Sequence, residues 1–126
     1  MTVLDTNFVL RFLVKNDHQM YKIARDTIVE NICFIDNEVF VEVVYVLKKV
    51  YQIPKSEIRT SLEKFLNLSH ISVDNKTLLT KALEIYETKN LDIVDAILCV
   101  KSKHSDIRTF DKKLKKCIRN FAVVSF

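Results

Sequence analysis

The chain has 126 residues, 48% of them hydrophobic and 29% charged, and its 20 Lys and Arg against 16 Asp and Glu give a formal net charge of +4. These values are typical of one folded globular domain with a substantial core and exclude a disordered chain. The sequence contains no glycine, which excludes a glycine-rich phosphate loop, a dinucleotide-binding fingerprint, a nucleophile elbow and an EF-hand loop, so any phosphate chemistry must rely on side chains and metal ions.

Short apolar segments alternate along the chain with longer amphipathic ones. The short segments predict strands at residues 2–4, 33–35, 71–73, 106–109 and 121–124. Amphipathic spacing predicts helices at residues 8–13, 20–30, 37–51, 56–66, 78–86, 93–104 and 111–116. This alternation indicates an α/β fold, in which helices flank a central, mostly parallel sheet of short strands, as a single domain over residues 1–126. Asn and Asp are expected at the turns in place of glycine.

The cysteines and the amino terminus bear on where the protein works. Cys33, Cys99 and Cys117 are an odd number without C-x-x-C spacing, so we expect reduced, buried thiols and neither a disulfide framework nor a zinc knuckle. The segment MTVLDTNFVL has no basic stretch before its apolar residues, and uncharged runs are too short to span a bilayer. We therefore expect a cytoplasmic protein without a membrane partner.

Acidic side chains lie where predicted strands end and predicted helices begin. Asp5 ends the first strand, and Asp111 follows the fourth. Asp92 and Asp95, three residues apart at a helix start, are expected to share a face. Glu42 lies in an almost wholly apolar stretch, so it is predicted to be buried and to need a partner or a cation. In parallel sheets the functional crevice lies beyond the carboxyl ends of the strands, where several of these acids are expected.

Carboxylates that converge without matching arginines repel one another unless a divalent cation neutralises them. Hard oxygen ligands suit Mg²⁺ or Mn²⁺, which share their coordination sphere with phosphates. Such a cation lowers the pKa of a bound water and stabilises charge on a phosphate under attack. The chemistry indicated is hydrolysis of phosphodiester bonds.

Each acid also has a structural interpretation, which the sequence leaves open. Asp5, Asp92 and Asp111 can each cap the helix that follows. Asp95 is favoured in a first helical turn by the helix dipole. Glu42 can be a core carboxylate with a hydrogen-bonded partner.

The order of the acidic blocks adds a family resemblance. The chain contains, in sequence, MTVLDTNFVLRFL, VFVEVVYVLKKVY, LDIVDAILCV and IRTFDKKL. These blocks resemble those of PIN-domain ribonucleases, and most closely those of VapC-like toxins of type II toxin–antitoxin pairs, over residues 2 to about 114. The resemblance implies a PIN-like fold, with a parallel sheet between helices.

The resemblance also implies roles for particular residues. It assigns the catalytic, metal-binding quartet to Asp5, Glu42, Asp95 and Asp111. It gives supporting positions, as an auxiliary ligand or cap and as hydrogen-bonding groups, to Asp92, Thr6, Asn7 and Thr109. The implied activity is Mg²⁺- or Mn²⁺-dependent endonucleolytic cleavage of RNA. The implied partners are an RNA substrate, a cognate antitoxin and a second copy of the chain in a homodimer.

The charge balance supports a polyanionic substrate. Setting the quartet aside leaves 12 of the 16 acidic residues against 20 basic ones, a cationic surface around an anionic pocket. The candidate contacts to the RNA backbone are Lys112, Lys113, Lys115 and Lys116, with Lys101 and Lys103 nearby in the sequence. A lysine run can also be simply a solvated face.

Two other functions stay open. The chain can be a non-catalytic RNA-binding or interaction module on a PIN fold, although such a module gains nothing from carboxylates that face phosphates. It can also be a PIN nuclease of RNA processing outside toxin–antitoxin systems. No motif reads a base. The aromatic residues on apolar stripes are predicted to be core: Phe8, Phe12, Phe40, Tyr45, Phe65 and Tyr86.

Overall fold

The computed structural model describes residues 1–124 and side chains as far as residue 121. The chain divides into two compact units, an N-terminal unit, Met1–Lys76, and a C-terminal unit that begins at Thr77. The expectation of a single domain over residues 1–126 stays a prediction. Across the described part of the chain, no helix has both the length and the apolar character needed to cross a membrane.

The N-terminal unit contains a three-stranded parallel sheet. The strands are β1 Thr2–Val3, β2 Cys33–Phe34 and β3 Ile71–Ser72, in the order β1-β2-β3. Thr2 is in register with Cys33, and Cys33 with Ile71. Each strand falls inside a predicted segment, and the parallel pairing confirms the α/β fold class.

Four helices connect and cover these strands. They are α1 Thr6–Val14, α2 His18–Glu30, α3 Asn37–Lys49 and α4 Lys55–Leu66. Aspartate side chains begin the first two: Oδ1 of Asp5 accepts from the Phe8 N–H, and Oδ1 of Asp17 from the Met20 N–H, both at 2.9 Å. These caps satisfy backbone donors that the first turn leaves without an intrahelical partner.

The core of the N-terminal unit comes from the apolar faces of its helices. α1 packs against α2 and α3, and α4 packs against α3 and β3. On α4, the side chains spaced at helical intervals are almost fully buried: Ile58, Leu62, Phe65 and Leu66. Burying each such side chain stabilises the fold by about 1.5–3 kcal/mol before entropy is counted. The predicted helical periodicity is therefore confirmed here.

The C-terminal unit is helical. It consists of α5 Lys76–Thr88, which starts at the boundary residue, α6 Ile93–Lys101 and α7 Lys112–Val124. Two sequence predictions are wrong in this unit. Residues 106–109 have no strand assignment, and residues 121–124 continue α7. The reason lies in the spacing of Leu114, Cys117, Ile118 and Phe121, which keeps the helical period beyond the predicted end at residue 116.

A disulfide joins two of the three cysteines. Cys99 on α6 is bonded to Cys117 on α7, with their Cα atoms 6.1 Å apart and a sequence separation of 18 residues. The expectation of three reduced thiols is therefore wrong for this pair. The two cysteines meet because α6 packs against α7, which motif spacing does not reveal. Cys33 is free and buried, and its burial raises the pKa of its thiol.

Three residues with a Cβ atom occupy the left-handed region. They are Lys15 (φ 62°), Gln52 (φ 54°) and Asn90 (φ 53°). Asn90 agrees with the expectation that asparagine replaces glycine at turns. Lys15 and Gln52 do not, and each follows closely on a helix end, where a left-handed residue commonly stops the helix.

Candidate functional site

Asp5 lies directly after β1, at the carboxyl end of the first strand. Its side chain is exposed, and its Oδ1 forms the cap on α1 described above. The structural interpretation of Asp5 is thus confirmed, and it does not compete with a metal-binding role, because Oδ2 can bind another group. Thr6 and Asn7 form the first turn of α1, and their orienting role stays a prediction.

Glu42 lies on the exposed side of α3. The prediction that it is a buried carboxylate is wrong. The helix buries a different face, made of Phe40, Val43, Val44 and Leu47, and at 100° per residue Glu42 falls outside that stripe. Tyr45, three residues further on, is 51% exposed, so the prediction that it is core is wrong as well.

Asp92 and Asp95 form a connected pair at the start of α6. Oδ1 of Asp92 accepts from the Asp95 N–H at 2.8 Å, which confirms the capping interpretation of Asp92. Asp95 is half-buried. Burial raises the pKa of the Asp95 carboxyl above its ordinary value, and the negative charges of Asp92 and Asp111 raise it further. The charges of Asp92 and Asp111 therefore act on the Asp95 carboxyl inside the C-terminal unit.

Asp111 is held by hydrogen bonds on both sides. Its N–H donates to Thr109 Oγ1 at 3.0 Å. Its own Oδ1 accepts from the Leu114 N–H at 2.9 Å and so begins α7. The interpretation of Asp111 as the cap of the helix that follows it is therefore confirmed. Thr109 also fixes the backbone from which the Asp111 carboxylate projects, and Leu114 is 1% exposed, which anchors that turn in the core.

The acids fit a divalent cation in their chemistry. Carboxylate oxygens are the ligands that Mg²⁺ and Mn²⁺ prefer. Burial raises the pKa of Asp95, and repulsion from Asp92 and Asp111 raises it further; a nearby cation relieves that repulsion. Within residues 1–124, no group of three or more His, Cys, Asp and Glu side chains is close enough to hold an ion. Asp92, Asp95 and Asp111 belong to the C-terminal unit, and Asp5 and Glu42 to the N-terminal unit. The full quartet stays a prediction.

The candidate RNA contacts lie at the start of α7. Four lysines are exposed on its first two turns: Lys112, Lys113, Lys115 and Lys116. Lys101 and Lys103 are exposed at the end of α6 and in the turn after it. The helix turns Leu114 and Cys117 inward, so the lysines occupy its solvent face.

Sequence reasoning missed Phe110. Its side chain is 98% exposed, between Thr109 and Asp111. The signal was present in the segment RTFDKK, where one aromatic residue stands among charged and polar neighbours and no apolar stripe accounts for it. An aromatic residue interleaved with basic ones is a pattern of nucleic-acid binding surfaces.

Comparison with known proteins decides the family. The PIN domain family matches residues 2–119. The chain belongs to the PIN domain family. This confirms the resemblance carried by the four acidic blocks. The PIN domain match includes every strand and helix described above except the end of α7.

A curated relative is similar to this chain over nearly its whole length. The VapC ribonuclease of Aquifex aeolicus (strain VF5) is 26% identical over 125 residues, which cover 92% of this chain and 91% of the relative. No solved structure gives a significant match.

Proposed function

We propose that this PIN domain protein is a divalent-metal-dependent endoribonuclease, the toxin of a type II toxin–antitoxin pair. The observation that carries the proposal is the PIN domain match over residues 2–119. Within it, Asp92, Asp95 and Asp111 lie in one unit, where burial and then the charges of Asp92 and Asp111 raise the pKa of the Asp95 carboxyl. Two of them, Asp95 and Asp111, hold quartet positions in the acidic blocks that resemble those of PIN-domain ribonucleases. The similarity to a VapC ribonuclease over 92% of the chain supports the same activity.

The proposed ligands are the four acids of the quartet. Asp5, Asp95 and Asp111 would hold the cation directly, and Glu42 would hold it directly or through water, or would accept a proton from the nucleophile. When bound, Mg²⁺ or Mn²⁺ supplies an acidified water and neutralises charge on the phosphate. Asp92 fixes the first turn of α6, and Thr109 fixes the backbone of Asp111, so these residues position the carboxylates.

The exposed lysines of α7 are the proposed contacts to the RNA backbone. Lys112 and Lys113 directly follow Asp111, so a phosphate bound by them lies near the proposed cleavage site. Contacts of this kind supply affinity that falls steeply with salt concentration and carries no sequence preference.

An antitoxin and a second copy of the chain complete the proposal. The resemblance of the four blocks to VapC-like toxins supports both partners. A cytoplasmic location is also proposed, although the disulfide between Cys99 and Cys117 removes the argument from reduced thiols. A small antitoxin-like reading frame beside the gene is expected. Its absence, with metal-dependent RNA cleavage present, would instead favour a PIN nuclease of RNA processing.

The test is cleavage of a mixed RNA pool by the purified protein with Mg²⁺, with Mn²⁺ or with EDTA. Asp5→Asn is the variant that should lose activity, and Asp17→Asn is its matched control. Both aspartates cap a helix through a 2.9 Å bond from the third following N–H, and asparagine caps equally well. The two variants therefore lose the same charge and keep the same fold, but only Asp5 belongs to the quartet.

Each outcome bears on the proposal. Cleavage that requires metal, persists in Asp17→Asn and disappears in Asp5→Asn supports it. Equal cleavage by both variants refutes the assignment of Asp5. Metal-independent cleavage refutes the cation, and RNA binding without cleavage of any pool member favours a non-catalytic RNA-binding module.

A further inference from the structure

Phe110 is the most exposed large apolar side chain among the described residues. Phe110 is 98% accessible, above the 83% of Met1. No other side chain of the described chain covers it. A solvent-facing phenyl ring gains nothing from the hydrophobic effect, so neither the core nor the surface packing of the fold explains it.

The backbone that follows Phe110 is held by two hydrogen bonds. Thr109 accepts from the N–H of Asp111 at 3.0 Å, and Asp111 caps α7 through the Leu114 N–H at 2.9 Å. Before Phe110, Arg108 forms an ion pair with Asp106 at 2.8 Å, and because both side chains are exposed this pair orders the chain only weakly. The ring is therefore presented to solvent next to the hydrogen-bonded start of α7, so a ligand that binds it meets a backbone that is already ordered on that side.

The residues near Phe110 in the sequence are mostly charged rather than apolar. Arg108 lies two residues before it, and Lys112 and Lys113 lie two and three residues after it, all exposed. A protein partner that docks through apolar contacts needs a continuous apolar patch, and these neighbours do not offer one. A single aromatic ring among cations matches a different ligand, an unpaired nucleotide, which has a flat base for the ring and a phosphate for the cations.

We propose that Phe110 stacks on one unpaired base of the RNA and that Lys112 and Lys113 bind phosphates beside it. This inference rests on the proposed ribonuclease function and specifies the form of RNA that the site accepts. Every base has a face that can stack, so Phe110 selects unpaired over paired nucleotides and does not read sequence. Because Phe110 directly precedes Asp111, the stacked base lies next to the phosphodiester bond to be cut.

The test uses tryptophan fluorescence, because the natural chain contains no tryptophan. Phe110→Trp introduces a single reporter that keeps an aromatic face. Titration with single-stranded RNA in EDTA, where the proposed cleavage cannot occur, should quench its emission. Ile23→Trp is the matched control, since Ile23 is 60% exposed on α2 next to the basic Lys22, and its emission should stay unchanged.

Binding and cleavage give the second readout. Phe110→Ala should weaken binding of single-stranded RNA about tenfold, which corresponds to ~1.4 kcal/mol, and should raise KM for cleavage by a similar factor. Phe110→Tyr, which keeps an aromatic face, should leave the affinity for single-stranded RNA and the KM near those of the natural protein. Affinity for duplex RNA should change less than twofold, because paired bases are already stacked. Circular dichroism checks that each variant is folded.

The outcomes separate this inference from the nuclease proposal. Quenching and a tenfold loss in Phe110→Ala, without cleavage by the natural protein, support the stacking role and refute the nuclease. Metal-dependent cleavage with no quenching in Phe110→Trp and unchanged affinity in Phe110→Ala overturns the stacking role and leaves the nuclease. Absence of RNA binding by any variant at low salt overturns both.

Discussion

Breaking the disulfide between Cys99 and Cys117 should destabilise the protein measurably. The bond closes a loop with a sequence separation of 18 residues. In the chain-entropy description, a cross-link over a loop of this length removes enough freedom from the unfolded chain to contribute about 3 kcal/mol to the free energy of unfolding. For a protein of this size, that loss corresponds to a fall of roughly 10 °C in Tm.

The assay is unfolding followed by circular dichroism, with and without a phosphine reductant. The natural protein is expected to lose stability on reduction with its side chains otherwise unchanged. The double variant Cys99→Ala and Cys117→Ala, in which only the buried Cys33 thiol remains, should be equally stable in both conditions. The difference between its stability and that of the reduced natural protein reports the lost packing of the two buried sulfurs, separately from the cross-link.

A thiol titration of the unfolded, unreduced protein tests whether Cys99 and Cys117 are bonded to each other. The paired structure predicts one reactive thiol per chain, that of Cys33. Three reactive thiols would refute the pairing. One thiol together with an unchanged Tm on reduction would refute the argument that the cross-link stabilises by restricting the unfolded chain.

Three further predictions concern the acids. Asp95→Asn should abolish cleavage yet raise stability at neutral pH, because it removes a half-buried charge that Asp92 and Asp111 repel. The pKa of Asp95 is raised in the folded state, so its protonated carboxyl contributes stability in acid, and this stability is lost as pH rises through that pKa. Urea unfolding measured at a series of pH values through that pKa should show this loss of stability in the natural protein and not in the variant. Asp111→Ala should cost about 1 kcal/mol through the lost cap on α7, whereas Asp111→Asn should keep that stability and still be inactive, as paired melting and cleavage assays would reveal. Glu42→Gln, at an exposed position, should change unfolding free energy by less than about 0.5 kcal/mol while reducing cleavage; a larger loss of stability would contradict its exposed placement.

The elements of the N-terminal unit were predictable because local patterns determine them. Apolar triplets closed by polar residues indicated the three strands, and Asp5 and Pro54 marked helix starts that the structure confirms. The residues Ile58, Leu62 and Phe65 were predicted to share a face of one helix and are 0%, 1% and 3% exposed. In each case the spacing of apolar side chains carried the information.

The errors occurred where spacing alone was not enough. Phe121 and its apolar successors have strand-like composition, but the helical period from Leu114 onward governs the segment. Glu42 was predicted to be buried because its neighbours are apolar, and only its exact angle on α3 placed it outside the buried stripe. The contact between Cys99 and Cys117 depends on the packing of α6 on α7, which no local pattern encodes.

The order of the strands has a consequence for synthesis on the ribosome. Because β1, β2 and β3 pair in the order in which they are made, each strand adds to an edge that is already present and none has to insert between two others. At about 5–20 residues per second, a few seconds separate β2 from β3. The edge of β2 that β3 later covers is only two residues long. An edge this short offers little template for pairing with a neighbouring chain.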